Sequence, residues 1–267
     1  MRYIGIDLAW GSKNTTAAAA LEGNPAQGAT LIASDDALLT DEQILSFVRE
    51  NDTGEGLLVA IDAPTIVPNE TGRRPCEALL SRCMAKAQAG PHPANRTLLS
   101  GADGTVRGER IAAALAAEGL PQTPYLGSLT VGSALRAAFE VFPHPAHVAL
   151  FGLERTLKYK AKPKRTPETR HSEYRRYADF LIALRTADPP LTLPPEASLH
   201  VGIDTVALKP AALKRYEDAL DALTCAYIAL YYHRWGGEKC AILGDLETGF
   251  IVTPVNGSMR DCFSQIG

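Results

Sequence analysis

The chain has 267 residues, of which 46% are hydrophobic and 21% charged, with a formal net charge of -3. A chain of that size buries a substantial core, and that composition excludes collagen, coiled coil and wholesale disorder. Near-neutral balance also excludes a protein that grips nucleic acid through overall positive charge, leaving only local basic patches.

In chain order, YIGIDLAW (3–10) reads as a buried strand with Asp7 late in it. TTAAAALEG and ATLIAS follow as two further strands, separated by the turn formers Gly23, Asn24 and Pro25. The alanine run 17–20 is compatible with either helix or strand. Thr40, Asp41 and Glu42 cap an amphipathic helix whose apolar face is Ile44, Leu45 and Val48. GLLVAIDAPT then forms a continuous apolar strand that ends at Asp62 and is broken by Pro64. A long insert, about 66–138, is expected to hold helices at 74–88, 109–118 and 129–138. FEVFP (139–143) gives a fifth strand carrying Glu140, and a basic segment runs from Arg155 to Arg185 with ten Lys/Arg against three acids. Pro189-Pro190 and Pro194-Pro195 mark a loop. A long helix begins near Pro210 and reaches about His233, and CAILG with GFIVTPV closes the chain as a hairpin. The expected organisation is one domain over residues 1–267.

The most apolar stretch, Ala219 to Tyr232, is too short to span a bilayer and contains Asp221, so no membrane partner is expected. Five scattered cysteines without a CxxC pair (Cys76, Cys83, Cys225, Cys240, Cys262) imply reduced thiols and a cytoplasmic protein.

The long helix carries the clearest chemical clue. Beyond Ala219 it is apolar on every face, so Asp221 has few neighbours to solvate it, and an unpaired carboxylate there would cost several kcal/mol. It demands a cation or strong donors. Asp218 is one turn earlier on the same side. Asp7 and Asp62 end apolar strands, where open sheets place catalytic groups. Hard carboxylate oxygens brought together from separate elements suit Mg²⁺ or Mn²⁺, and two such ions about 3.5–4 Å apart clamp a phosphodiester.

GIDLAW (5–10), AIDAPT (60–65), Arg74-Pro75-Cys76-Glu77, EVFPHP (140–145), YKAKPKRTPE (159–168) and DALDALTCAYIA (218–229) together resemble the DUF429 family over nearly the whole chain. The resemblance implies an RNase H-like α/β fold: a mixed five-stranded sheet flanked by helices, its first three strands antiparallel, with nuclease activity expected. It is also similar in acid layout to RuvC-type resolvases, which implies Asp7, Asp62 and Asp221 as ligands of Mg²⁺ or Mn²⁺ with Asp218 assisting, and a possible homodimer. The RuvC type usually has Glu rather than Asp at the end of strand four.

Several residues keep two readings. Glu140 is either an additional catalytic acid or an edge-strand glutamate paired with Arg136 or a lysine. His144 and His147 have a spacing seen in zinc sites, but the prolines around them favour a turn or cap. Lys158, Lys160, Lys162, Lys164, Arg165 and Arg170, continuing to Arg175 and Arg176, are candidate contacts to nucleic-acid phosphates. Tyr159, Tyr174 and Tyr177 are interleaved as base-stacking candidates. A solvated face is the alternative. Arg73 and Arg74 are phosphate candidates too, with a cap or a salt bridge to Glu77 or Glu70 as the other reading.

The leading expectation is a two-metal nuclease acting on nucleic acid. An actin-like or sugar-kinase-like phosphotransferase is a second, because Asp7 to Thr15 faintly echoes the first phosphate loop of those enzymes, though the glycine-rich second loop is missing. A non-catalytic binding module of the same fold is the third.

Overall fold

The computed structural model describes residues 1–11, 14–128 and 135–266. The main sheet opens with β1 (Arg2–Asp7), β2 (Thr16–Asn24) and β3 (Gly28–Leu38), which pair antiparallel in sequence. Next come α1 (Asp41–Glu50) and β4 (Leu57–Asp62), and β4 lies parallel to β1. Thr40 closes a reciprocal capping box with Gln43 at the start of α1, and Ile44, Leu45 and Val48 are buried as their spacing predicts.

The insert holds α2 (Pro75–Cys83), the short α3 (Arg96–Leu99) and α4 (Arg107–Ala117). The helix expected over 129–138 falls largely outside the described residues, and its last positions belong instead to β5 (Arg136–Glu140). The fifth strand is thus shifted toward the N-terminus, because Pro143 opens α5 (Pro143–Leu150); the fixed φ and missing N–H of proline suit a helix start rather than a strand. After α6 (Pro167–Ala183) a two-residue strand, β6 (Leu191–Thr192), adds to the far edge beside β3. The sheet therefore has six strands, in the order β5-β4-β1-β2-β3-β6, rather than five. The chain ends with α7 (Pro210–Trp235), the antiparallel hairpin β7 (Cys240–Asp245) and β8 (Gly249–Pro254), and α8 (Gly257–Ile266).

The period-two alternation of the strands decides which face each side chain takes. Tyr3, Leu58, Ala60, Ala17 and Ala19 pack against α7, whereas Ile4, Ile6, Val59, Ile61, Ala18 and Ala20 pack on the other face with α1 and α4. The alanine run is a strand because it is buried on both faces, where small side chains let the layers close. Gly5 has the same role. A Cβ there would stand 2.0 Å from the Ala222 carbonyl oxygen and 2.2 Å from the Ala226 nitrogen, so the α7 backbone rests directly on β1. The helix runs antiparallel to the strand: Tyr3 hydrogen-bonds His233 at 2.8 Å at one end, and Asp7 meets Asp218 at the other.

A satellite core joins α2, the hairpin and α8. Cys83 and Cys262 form a disulfide there, correcting the expectation that all five cysteines are reduced. Their separation of 179 residues hides the pairing from any spacing rule; only the packing of α8 on α2 brings them together. Among the described residues, no helix is long and apolar enough to cross a membrane.

Candidate functional site

Asp7 and Asp62 are register partners on parallel neighbours β1 and β4. Both share the parity of Tyr3, Leu58 and Ala60, so both point toward α7. There Asp218 and Asp221 come down onto them, 5% and 0% exposed. The four aspartates are thus brought together at the C-terminal ends of the central strands.

Asp221 receives what its burial demands. Tyr159 donates its hydroxyl to Oδ1 at 2.6 Å and Tyr177 donates at 3.0 Å. The Lys160 ammonium faces Oδ2 at 2.8 Å, but that oxygen is buried and receives no directed hydrogen bond. Burial alone would raise this carboxyl, yet the Lys160 ammonium beside it holds it at about 2. The other acids are less well compensated. Burial pushes Asp7 well above the carboxylate range, with Lys160 opposing and Asp62, Asp221 and Asp218 adding to the rise. Burial likewise pushes Asp62 to about 7. Asp218 is raised by burial, with its ion pair to Lys214 and a hydrogen bond with the Asp7 carboxyl opposing the rise. Burial disfavours the Lys160 ammonium, but Asp221, Asp7 and Asp62 keep it charged.

Glu217 joins the cluster unanticipated, 4% exposed, accepting from Tyr174 at 2.7 Å and paired with Lys214 at 3.0 Å. Its signal in the sequence was Lys214, three residues before Glu217 and four before Asp218. Four aspartates and Glu217 therefore share two ammonium groups. Among the described residues, no group of three His, Cys, Asp or Glu side chains is arranged to hold a metal ion as it stands. The space among the aspartates is faced by Lys160.

Glu140 is not part of this cluster. It is aligned with Ile61 and has the parity of Ala138, so it points to the opposite face of the sheet. Neither Arg136 nor a lysine is its partner: Arg74 donates to it at 2.6 and 2.9 Å, and the Thr65 N–H at 2.9 Å. Arg74 is 1% exposed and also pairs with Glu77 at 2.8 Å, the salt-bridge reading of that residue rather than a phosphate contact. Arg73 is exposed, but its guanidinium is held by Ser81 at 2.9 Å and the Pro91 carbonyl at 2.7 Å.

The basic segment divides. Lys160, Lys162 and Arg165 line a hollow of about 200 Å³ together with Asp7 and Asp62. Arg165 and Arg170 donate to the carbonyls of Lys160 and Tyr159 at 3.0 Å each, fixing the loop that carries Tyr159 and Lys160. Lys158 is half-buried, with its backbone N–H on Glu173, and Lys164 is exposed at a left-handed φ of 69°. The three tyrosines are 0% exposed, which rules out their expected role as stacking platforms; they are core residues that donate to Asp221 and Glu217.

His144 and His147 also lie behind Asp221. His147 Nε2 bonds the Tyr177 hydroxyl at 2.8 Å, and His144 Nδ1 bonds Thr156 at 3.1 Å. Burial lowers His147 to about 4 and drives His144 well below its usual value, so both are neutral donors or acceptors. A second hollow of about 230 Å³ reaches the cluster from the other side, lined by Asp7, Asn14, Lys160, Lys214 and Asp218. Ser12 and Lys13 of the phosphate-loop echo lie outside the described residues.

A family model described as "Protein of unknown function (DUF429)" matches residues 5–248. No curated protein and no solved structure matches the chain.

Proposed function

The chain belongs to the DUF429 family, whose description assigns no activity, and we propose that it is a divalent-metal-dependent nuclease that hydrolyses phosphodiester bonds of nucleic acid at the aspartate cluster. One observation carries this reading. Five carboxylates, of which Glu217, Asp218 and Asp221 are buried and Asp7 and Asp62 half-buried, share two ammonium groups at the C-terminal ends of β1 and β4, beside a hollow edged with Lys162 and Arg165. Such a charge imbalance is relieved either by protons, as the raised Asp7 and Asp62 indicate, or by a cation.

The donor set fits Mg²⁺ or Mn²⁺. Every available ligand is a hard carboxylate oxygen, and Asp7 and Asp62 stand side by side in register on β1 and β4. Asp7, Asp62 and Asp218 would hold the ion. A divalent ion bound there supplies Lewis-acid charge to a phosphoryl oxygen and to the attacking water.

The chain's own residues do the rest. Lys160 is about a quarter exposed and stands over Asp221, so it presents a fixed positive charge to a phosphate entering the hollow. It takes the place of one of the two cations that phosphodiester clamps employ, and the expected two-ion site becomes one ion plus Lys160. Tyr159 and Tyr177 hold Asp221 in a single orientation, and Asp221 in turn holds Lys160. Lys162 and Arg165 give the strand its approach.

The test is a panel of labelled single-stranded, duplex and branched DNA and RNA–DNA hybrid, incubated with Mn²⁺ or EDTA, with free nucleotides in parallel. Metal-dependent strand scission is expected. Nucleotide hydrolysis without scission would transfer the site to the phosphotransferase reading, and binding without any products would leave a binding module.

A further inference from the structure

Trp10 is the exposed aromatic that the aspartate cluster does not use. It lies three residues past Asp7 and is 47% exposed. Its backbone surroundings are pinned. The Ala9 N–H donates to Thr16 Oγ1 at 3.1 Å, and Arg107, 4% exposed, donates to the Ala9 carbonyl at 2.9 Å. Arg107 is itself anchored by Asp41 at 2.8 Å and by the Leu39 carbonyl at 2.9 Å. The indole is thus held out from a fixed loop, and no other described residue stacks on its ring or bonds its N–H. Its flat apolar face and its place beside the polar cluster suit it to stack on a planar ring.

The indole forms a shared wall between two adjoining hollows. One is the 200 Å³ hollow with Lys160, Lys162 and Arg165. The other, about 70 Å³, is bounded by Pro64, Pro91 and the ion-paired Arg74, Glu77 and Glu140, and shares His92 and Phe142 with the first. Asp62 borders both. A phosphate beside the aspartates is therefore next to a slot walled by an indole and a phenyl ring.

We infer that a nucleobase, turned out of its stack, lies against the exposed Trp10 indole at the mouth of this slot, from the nucleotide adjoining the phosphate at the cluster. This rests on the nuclease reading and narrows it: the substrate is a strand with an unstacked base at the cut, single-stranded or branched, rather than continuous duplex. A duplex must first expel a base, at a cost of a few kcal/mol that an unpaired strand avoids. Stacking on an indole tolerates every base, so little sequence preference is expected.

The chain has two tryptophans, and the other, Trp235, is stacked under Arg234 and Lys239 near the end of α7. In a Trp235→Phe background the emission therefore reports Trp10. The probes are a ten-nucleotide single strand, the same strand with abasic internal positions, and a blunt hairpin duplex, each titrated in Ca²⁺. Emission is expected to be quenched by the intact strand. Affinity is expected to fall about tenfold for the abasic strand and for Trp10→Ala, with Trp10→Phe restoring most of it. Equal affinity for intact and abasic strands, or a strand that binds without quenching, would overturn the slot, as would tightest binding to the duplex. The two proposals fail separately. Quenching without scission in Mn²⁺ removes the nuclease and keeps the base slot; scission indifferent to Trp10→Ala and to abasic positions removes the slot and keeps the nuclease. Failure of every probe to bind would remove both.

Discussion

Arg74→Met tests the buried ion-pair role that the structure gives this arginine. Its guanidinium donates to Glu140 at 2.6 and 2.9 Å, to Glu77 at 2.9 Å and to the Ile66 carbonyl at 3.0 Å. Methionine keeps most of the stem and removes every donor, leaving Glu77 and Glu140 buried together without a cation. Backbone donors remain, from Thr65 to Glu140 at 2.9 Å and from Ala94 to Glu77 at 3.0 Å, but they carry no charge. Side-chain exposures of 1% for Arg74 and Glu77 and 4% for Glu140 mean that water screens little of the loss. Breaking such a pair by removing one partner costs about 3–5 kcal/mol. At about 2–4 °C per kcal/mol for a chain of this size, the melting temperature at pH 7 should drop by about 6–20 °C.

The deficit should shrink in acid. Burial already raises the Glu140 carboxyl, with Arg74 pulling it down. Without Arg74 its folded pKa rises further above the unfolded value, so the folded chain binds a proton that the unfolded chain lacks. Stability is then lost as pH rises through the folded pKa and recovered as pH falls. Thermal unfolding followed by circular dichroism at pH 7 and pH 5 reads both effects. A variant that melts with the wild type yet binds strands tenfold more weakly would refute the structural role and restore Arg74 as a phosphate contact.

Other expectations follow from the same geometry. Lys160→Met removes the cation that competes for Asp7 and Asp62, so calorimetric titration should show Mn²⁺ binding several-fold more tightly while strand scission falls at least about tenfold; weaker Mn²⁺ binding would contradict the placement of Lys160. Gly5→Ala puts a Cβ 2.0 Å from the Ala222 carbonyl oxygen, where backbone cannot yield cheaply, and should lower stability by about 1–3 kcal/mol or more in a denaturant melt. An unchanged midpoint would mean that α7 does not rest on β1. Asp7, well above the usual range, and Asp62, at about 7, hold protons in the folded chain that the unfolded chain releases near pH 4. In EDTA, stability should therefore fall as pH rises from about 4 to 7, and saturating Mn²⁺ should flatten that slope; a rising EDTA curve over this window would refute it. Asp221, held at about 2, contributes the opposite trend only at more acid pH.

Much of this site was legible in the sequence because its acids break otherwise apolar patterns. Asp7 and Asp62 end strands, and Asp221 interrupts a helix apolar on all sides, so each announces a need for compensation. The parity that turns Asp7 and Asp62 toward α7 and Glu140 away was implicit in the strand register, but a shift of β5 by three residues hid it. Tyr159, Tyr174 and Tyr177 were misleading for a related reason. Interleaved with lysines and arginines they resemble a surface stripe, and only the folding of the basic segment against α7 shows that the rings go inward while Lys162 and Lys164 stay out. Pairings across long separations left no local trace at all. Arg74 and Glu140 are 66 residues apart, the disulfide spans 179, and β6 has only two residues, too few for any periodicity.

The central claim is tested most directly by Asp62→Asn in the strand-scission assay. The substitution keeps the shape of the side chain and removes one of the three charges proposed to hold the ion. With Mn²⁺ the wild-type chain should cut a labelled single strand and the variant should be slower by about a hundredfold or more, with its melting temperature in EDTA unchanged or raised because a buried repulsion is gone. Scission at the wild-type rate by Asp62→Asn, or no scission by the wild type on any strand, would contradict the account.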